Sequence, residues 1–148
     1  MKTIQKMYEH LNWANQRILE TLKSIENNQQ TVRLFAHILL AEQVWFTRLQ
    51  AKDSSALSIW SDIDISFCDQ LVKQNGDNFK TYLANLTDPD LDQFIRYTNQ
   101  SGKPFQTSIR DILTHLAMHG QYHRGQLNSK LRAEGHEPVN VDFITFVR

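Results

Sequence analysis

Apolar residues recur every three or four positions along four long segments of the chain, which is the spacing of one face of an α-helix. The predicted helices cover residues 3–25, 31–50, 65–86 and about 108–134. Thr107 or Ser108 caps the fourth helix, and Gly135 ends it. Four long helices in 148 residues predict an all-α protein, with residues 1–148 folding as a single four-helix-bundle domain.

The stretch between the third and fourth helices lacks this helical spacing. Two short pieces with β-prone residues, 94–97 and 104–107, flank the turn residues 99–103. This arrangement predicts a small β-hairpin before the last helix. The tail over residues 139–148 is rich in Val and Phe, and we expect it to pack against the bundle as an extended segment.

The composition argues against several classes of function. Lys and Arg number 16, as do Asp and Glu, so no excess of positive charge indicates a nucleic-acid surface. No run approaches the roughly 20 apolar residues of a membrane span, and no apolar signal core begins the chain. The single cysteine, Cys68, is interpreted as a packed thiol and is typical of a reducing compartment. We therefore expect a soluble cytoplasmic protein.

The fourth predicted helix carries three histidines at intervals of four residues. Its apolar stripe is centred on Leu116. A turn of 3.6 residues places His123 about 20°, His119 about 60° and His115 about 100° from that centre. His119 and His123 therefore point into the bundle, whereas His115 lies at the edge. Two imidazoles one turn apart on a buried face can bind one metal ion, the alternative being core histidines with a satisfied ring nitrogen.

His37 supplies a third imidazole from the second helix, near its inward face. Bundle cores often build metal sites from facing helices. Three histidine nitrogens leave one coordination position open, which is the arrangement of catalytic rather than structural zinc. The sequence has no HExxH, CxxC, GxSxG or nucleotide-binding glycine motif to indicate a competing site. We predict a metal site formed by His37, His119 and His123.

Two polar residues are interpreted as supports of this site. His115 is assigned to a position behind the ligands or to a hydrogen bond with another helix, because three such histidines do not all reach one ion comfortably. Glu42 lies in the apolar arc of the second helix, where an unpaired carboxylate costs several kcal/mol. Its partner is either a histidine, which it would hold in one tautomer, or an arginine, Arg124 or Arg48. His10, on the first helix, is interpreted as a surface residue.

The segments HILLAEQVWFTRL, DILTHLAMHGQYHRGQLNSKLRAEGHEP and VDFITFVR together resemble the DinB family, which includes YfiT-type, bacillithiol transferase-like proteins. The resemblance implies a four-helix bundle in an up-down-down-up arrangement. It implies a divalent metal ion, often nickel or zinc, held by His37, His119 and His123, with His115 as a histidine that is not a ligand. It also implies a homodimer. Some members look like transferases that join a low-molecular-weight thiol such as bacillithiol to an electrophile.

Three functions are compatible with such a site. We favour a metal-dependent transferase for a small-molecule substrate, acting in detoxification or stress response, because a thiol at the open position would lose its proton and become a strong nucleophile. Metal-dependent hydrolysis is the second, and it needs a general base that the sequence does not single out. The third is a non-enzymatic metal-binding bundle that serves interaction or the stress response. Trp45, Tyr122 and the hairpin are the expected walls of the pocket.

Overall fold

The computed structural model describes residues 1–148 and confirms the four predicted helices and the hairpin. In chain order the elements are α1 (Lys2–Lys23), α2 (Gln29–Leu49), α3 (Ile65–Ala84), a 3₁₀ turn (Pro89–Asp92), β1 (Phe94–Thr98), β2 (Pro104–Ser108), α4 (Ile109–Ala133) and α5 (Phe143–Val147). Two of the long helices begin at side-chain caps: Asp64 accepts from the N–H of Phe67, and Ser108 accepts from the N–H of Asp111.

Contacts between the long helices give their relative directions. Helix α2 contacts α4 through His37 with His123 and Trp45 with His115, and it contacts α3 through Leu39 with Asn75 and Phe46 with Phe79. Helix α1 contacts α4 through Tyr8 with Leu113 and Asn15 with Arg124, and it contacts α3 through Tyr8 with Phe79 and Lys23 with Asp69. Helices α2 and α3 are therefore parallel, as are α1 and α4, whereas α2 with α4 and α1 with α3 are antiparallel. This is the expected up-down-down-up arrangement, and the long connection after α2 allows α3 to run in the same direction.

The interior consists of two hydrophobic clusters with a polar layer between them. One cluster includes Phe35, Ile38 and Leu127, and the other includes Phe79, Leu113 and Leu116. Between them, each long helix contributes one buried polar residue. These residues are Asn15, Glu42, Asn75 and Arg124.

Glycine makes room in this layer for the largest of its side chains. Arg124 is fully buried, and a Cβ at Gly120 would lie 3.0 Å from its Nη1 atom. Gly120 is one turn before Arg124 on α4, so the guanidinium folds back over its own helix.

The structure corrects the interpretation of His10 and of the tail. His10 is 7 % exposed rather than a surface residue, and its Nε2 donates to the carbonyl of Val141 at 2.7 Å. The tail packs against the bundle as expected, but it ends in the short helix α5 instead of continuing as an extended segment. The helical spacing of Phe143 and Phe146 brings both rings against His10, with centroids 5.3 and 5.7 Å away.

The hairpin pairs Phe94 with Ser108 and Thr98 with Pro104 in an antiparallel register. Gly102 supplies the positive φ, 79°, that its turn requires. Tyr97 of β1 lies against Trp45 of α2, with ring centroids 5.1 Å apart, so the hairpin covers one end of the groove between α2 and α4. None of the helices combines the length and the apolar character needed to cross a bilayer.

Candidate metal centre

Three histidines from two helices meet in the groove between α2 and α4. His37, His119 and His123 each offer a ring nitrogen, and these nitrogens lie within 4.8 Å of one another. His119 and His123 are one turn apart on α4, which places them on one side of that helix. The antiparallel packing of α2 brings His37 opposite them. The structure thus brings together the three residues that the sequence singled out, and they could hold a metal ion.

Hydrogen bonds outside the cluster fix the orientation of two of its rings. Nδ1 of His37 lies 2.7 Å from the carbonyl oxygen of Ile59, and Nδ1 of His123 lies 2.7 Å from Oε1 of Gln126. Both oxygens are acceptors, so in each neutral ring the proton is on Nδ1. The two Nε2 atoms then face each other at 3.2 Å with a lone pair on each. Two facing lone pairs repel, and a cation between them relieves that repulsion.

Burial favours the neutral form of the His37 and His119 rings. It lowers the pKa of His37, against the opposing effect of the hydrogen bond to Ile59. It also lowers the pKa of His119 to about 4, with a further contribution from the neighbouring His123. Imidazole binds a metal ion only in its neutral form, so both shifts favour coordination over protonation at neutral pH.

The loop after α2 covers His37. The Trp60 ring stacks on the ring of His37, with centroids 3.8 Å apart and planes 6° from parallel. The Ile59 carbonyl that orients His37 belongs to the same loop. Sequence reasoning did not assign Trp60 or Ile59 to the site. A lone tryptophan in a polar loop was the one available indication, because so large an apolar side chain tends to cover another surface.

His115 lies outside the cluster. It is exposed, and its ring contacts His119 on one side and Trp45 on the other, with centroids 5.6 and 5.4 Å away. Of the two roles considered for His115, the structure gives no hydrogen bond to another helix, and its contact with α2 is the aromatic one with Trp45. Of the expected walls, Tyr122 lies 5.0 Å from the His123 ring but is largely exposed. Trp45 and the hairpin residue Tyr97 lie on the His115 side of the groove.

Glu42 is paired, but with neither of the partners that we expected. Its carboxylate accepts hydrogen bonds from Asn15 at 2.9 Å and from Asn75 at 3.1 Å. Arg124 reaches the same network through Asn15, whose Oδ1 accepts from Nη1 at 2.9 Å. Glu42 follows His37 by five residues, or about 140° around the helix, so it points into the polar layer and away from the histidines. Burial raises its pKa to about 7, although both amides and the charge of Arg124 act in the opposite direction.

The donor set fits a first-row divalent cation. Ligand nitrogens held about 2.1 Å from a tetrahedral ion are roughly 3.4 Å apart, close to the 3.2 Å between the two Nε2 atoms. Three neutral imidazoles suit zinc, nickel, copper or iron. No other His, Cys, Asp or Glu belongs to the cluster.

Comparisons with known proteins agree with the fold. The family model described as DinB family matches residues 1–148. Protein DinB of Bacillus subtilis (strain 168) is 25 % identical over 154 aligned positions, which cover 93 % of this chain and 90 % of that protein. The crystal structure of a DinB-like protein from Bacillus cereus ATCC 10987 superposes with a TM-score of 0.70 at 17 % identity, covering 96 % of this chain and 97 % of that chain. The chain belongs to the DinB family.

Proposed function

We propose that the protein binds one divalent ion, nickel or zinc, through His37, His119 and His123, and that it transfers a low-molecular-weight thiol to an electrophile. The observation that carries this proposal is the pair of Nε2 lone pairs facing each other at 3.2 Å beside a third neutral imidazole. A group of this kind is suited to a cation and leaves room for an exogenous ligand.

The chemistry divides between the ion and the chain. A divalent cation supplies positive charge that lowers the pKa of a thiol in the open position. Ile59 and Gln126 hold two of the imidazoles in the ligating tautomer, and Trp60 shields His37 from water. The sulfur forms a bond to the electrophilic carbon, the leaving group departs with the electron pair of the broken bond, and the thiol proton passes to solvent.

The thiol comes from outside the chain. Cys68 is fully buried in one of the two hydrophobic clusters, and burial raises the pKa of its thiol to about 12. A buried, protonated thiol is a poor nucleophile. A soluble thiol such as bacillithiol is the proposed donor, and a cytoplasmic location belongs to this proposal because that compartment keeps thiols reduced.

Transfer is favoured over hydrolysis by the absence of a carboxylate base at the histidines. Hydrolysis at a metal centre commonly uses a general base within hydrogen-bond reach of the attacking water. None of the ion pairs of the chain includes a histidine, and Glu42 is bound to two amides in the polar layer.

Metal content is the first test. Protein purified without a histidine tag is analysed by plasma mass spectrometry as wild type, as His37→Ala and as the control His136→Ala, which changes a histidine outside the cluster. We expect about one nickel or zinc ion per chain in the wild type and the control, and none in His37→Ala. Metal-free wild type after incubation with both ions would contradict the proposal.

Turnover is the second test. Metal-loaded and metal-free protein are assayed with chlorobimane as the electrophile and with bacillithiol, glutathione, cysteine or coenzyme A as the thiol. We expect a metal-dependent rate with at least one of these thiols. A metal-loaded protein that is inactive with every thiol would favour the non-enzymatic bundle, and hydrolysis of an ester panel would favour the hydrolase.

The homodimer implied by the family resemblance is also a proposal. It is supported by three apolar side chains of α5 that are exposed in the single chain, Phe143, Ile144 and Val147. Light scattering tests it: twice the chain mass of 17.3 kDa is expected, and the mass of one chain would contradict it.

A further inference from the structure

Arg48 is a buried cation without an acidic partner. The residue is 6 % exposed, and its one hydrogen bond runs from Nε to the hydroxyl of Ser54 at 3.1 Å. Its Nη1 and Nη2 atoms, which carry four N–H donors, have no acceptor in the chain and are accessible to solvent. By contrast, the exposed Arg33 and Arg110 are paired with Asp62 and Asp92. An arginine with so little exposed surface is ordinarily paired with a carboxylate.

Two aromatic rings hold the guanidinium in place. Its central carbon lies 4.6 Å from the ring centre of Trp45 and 4.8 Å from that of Tyr97. Contacts with ring faces are favourable for a guanidinium but use none of its N–H donors. The terminal nitrogens therefore remain available for an acceptor that comes from outside the chain.

Arg48 lies at the far end of the groove from the histidine cluster. It follows His37 by eleven residues on α2, which places it about 20° away around the helix and roughly 16 Å along it. A row of ring contacts joins the two ends: His119 to His115 at 5.6 Å, and His115 to Trp45 at 5.4 Å. This row of side chains thus has metal-ligating nitrogens at one end, aromatic rings in the middle and an unpaired cation at the other.

We propose that Arg48 binds a carboxylate at the far end of the thiol substrate, while the sulfur occupies the open position at His37, His119 and His123. This inference rests on the proposed function. A carboxylate matches the planar fork of a guanidinium with two parallel hydrogen bonds. Arg48 is thereby a specificity-determining residue, and the substrate is a thiol acid long enough to span the groove.

The test compares thiols that differ only in charge and length. ω-Mercaptoalkanoic acids of three to eleven carbons and their primary amides are titrated into cobalt-loaded protein, and the thiolate-to-cobalt absorption band reports binding of the sulfur. We expect long acids to bind at least tenfold more tightly than the matching amides, and the three-carbon pair to bind equally. Arg48→Gln abolishes the preference, and Arg48→Lys retains part of it. The control Arg33→Gln, which removes an arginine over Trp60, leaves the preference intact.

Several results would overturn this inference. If the wild type binds the long acids and the matching amides with equal affinity, the inference is overturned, and this result does not depend on whether Arg48→Gln folds. Loss of the preference in Arg33→Gln also overturns it, and tighter binding of an ω-mercaptoalkyl phosphate than of the acid would overturn the assignment to a carboxylate. In each of these cases thiol binding at the cobalt stands. Absence of the absorption band with every thiol would instead overturn the proposed function, and this inference with it.

Discussion

The orientation of individual imidazoles decides what the groove between α2 and α4 can bind. His37 and His123 are each fixed through Nδ1, so their Nε2 lone pairs converge. His115 lies two turns before His123 on α4 but belongs to none of the hydrogen bonds at the site, and its ring lies against Trp45. The three histidines that recur every four residues on α4 are therefore expected to contribute very differently to metal affinity.

Replacing His119 by Ala should remove a ligand, whereas replacing His115 should leave all three in place. We expect His119→Ala to lower zinc and nickel affinity by several orders of magnitude. His115→Ala should cost at most about tenfold, the size of effect typical of groups behind the ligands. Competition with a chromophoric chelator measures the metal affinity of both variants. Comparable losses in the two variants would show that the ligand set is wrong.

The sequence was sufficient for the ligand candidates but not for what surrounds them. The spacing of His119 and His123 and the inward position of His37 follow from local helical periodicity. Trp60 and the Ile59 carbonyl reach the site only through the course of a loop, which no period encodes. The same holds for His10, whose partner Val141 is 131 positions away in the chain.

At the scale of elements, the long helices were predicted within a few residues because their apolar stripes are long. The tail was predicted less well. Its short helix α5 exists because Phe143 and Phe146 meet the aromatic face around His10 and Trp13, a surface that forms only in the folded bundle. A five-residue helix has no stability of its own, so tertiary contacts determine it.

The side chain of Asn128 on α4 holds the tail through two hydrogen bonds to the backbone of one residue. It donates to the carbonyl of Val139 and accepts from the N–H of the same residue, both at 2.8 Å. Asn128→Ala leaves both backbone groups unpaired, and we expect it to lower the free energy of unfolding by about 2 kcal/mol in urea titrations. Asn85→Ala, which removes one exposed bond to Thr81, is the control and should change it by less than about 0.5 kcal/mol. Equal effects would mean that the tail contributes little to stability.

At the scale of the whole molecule, one polar layer links all four long helices. Glu42 accepts from α1 and α3, and Arg124 of α4 binds Asn15 of α1. Burying charged groups is costly, and Nε of Arg124 lacks a hydrogen-bond partner. The hydrogen bonds of the layer form only when the four helices are in this register. The layer therefore favours this arrangement of the bundle over arrangements in which a helix is shifted along its axis.

The raised pKa of Glu42 makes stability depend on pH. Folded protein retains a proton on Glu42 that the unfolded chain releases, so the free energy of unfolding falls as pH rises from about 4.5 to about 7. The loss is on the order of 3 kcal/mol and remains above that range. Glu42→Gln lacks this dependence. The free energy of unfolding of the wild type minus that of the variant should therefore decrease as the pH is raised from 5 to 8. The exposed Glu9→Gln should run parallel to the wild type, and a parallel profile for Glu42→Gln would contradict the raised pKa.

Metal binding should stabilise the whole chain, because the three histidines come from α2 and α4 and converge only in the folded bundle. At free metal one hundred times the Kd, the gain is about 2.7 kcal/mol. For a chain of this size that raises the Tm by about 5–10 °C. Calorimetry with and without chelator should show this rise in the wild type and in His115→Ala, but not in His123→Ala.

In the metal-free protein, burial holds the pKa of His119 at about 4, so the unfolded chain takes up more protons and stability falls as pH drops from about 6.5 towards 4. The Tm gain from metal should therefore be measured at one fixed pH near neutrality, and an equal gain in His123→Ala would place the ion elsewhere on the chain.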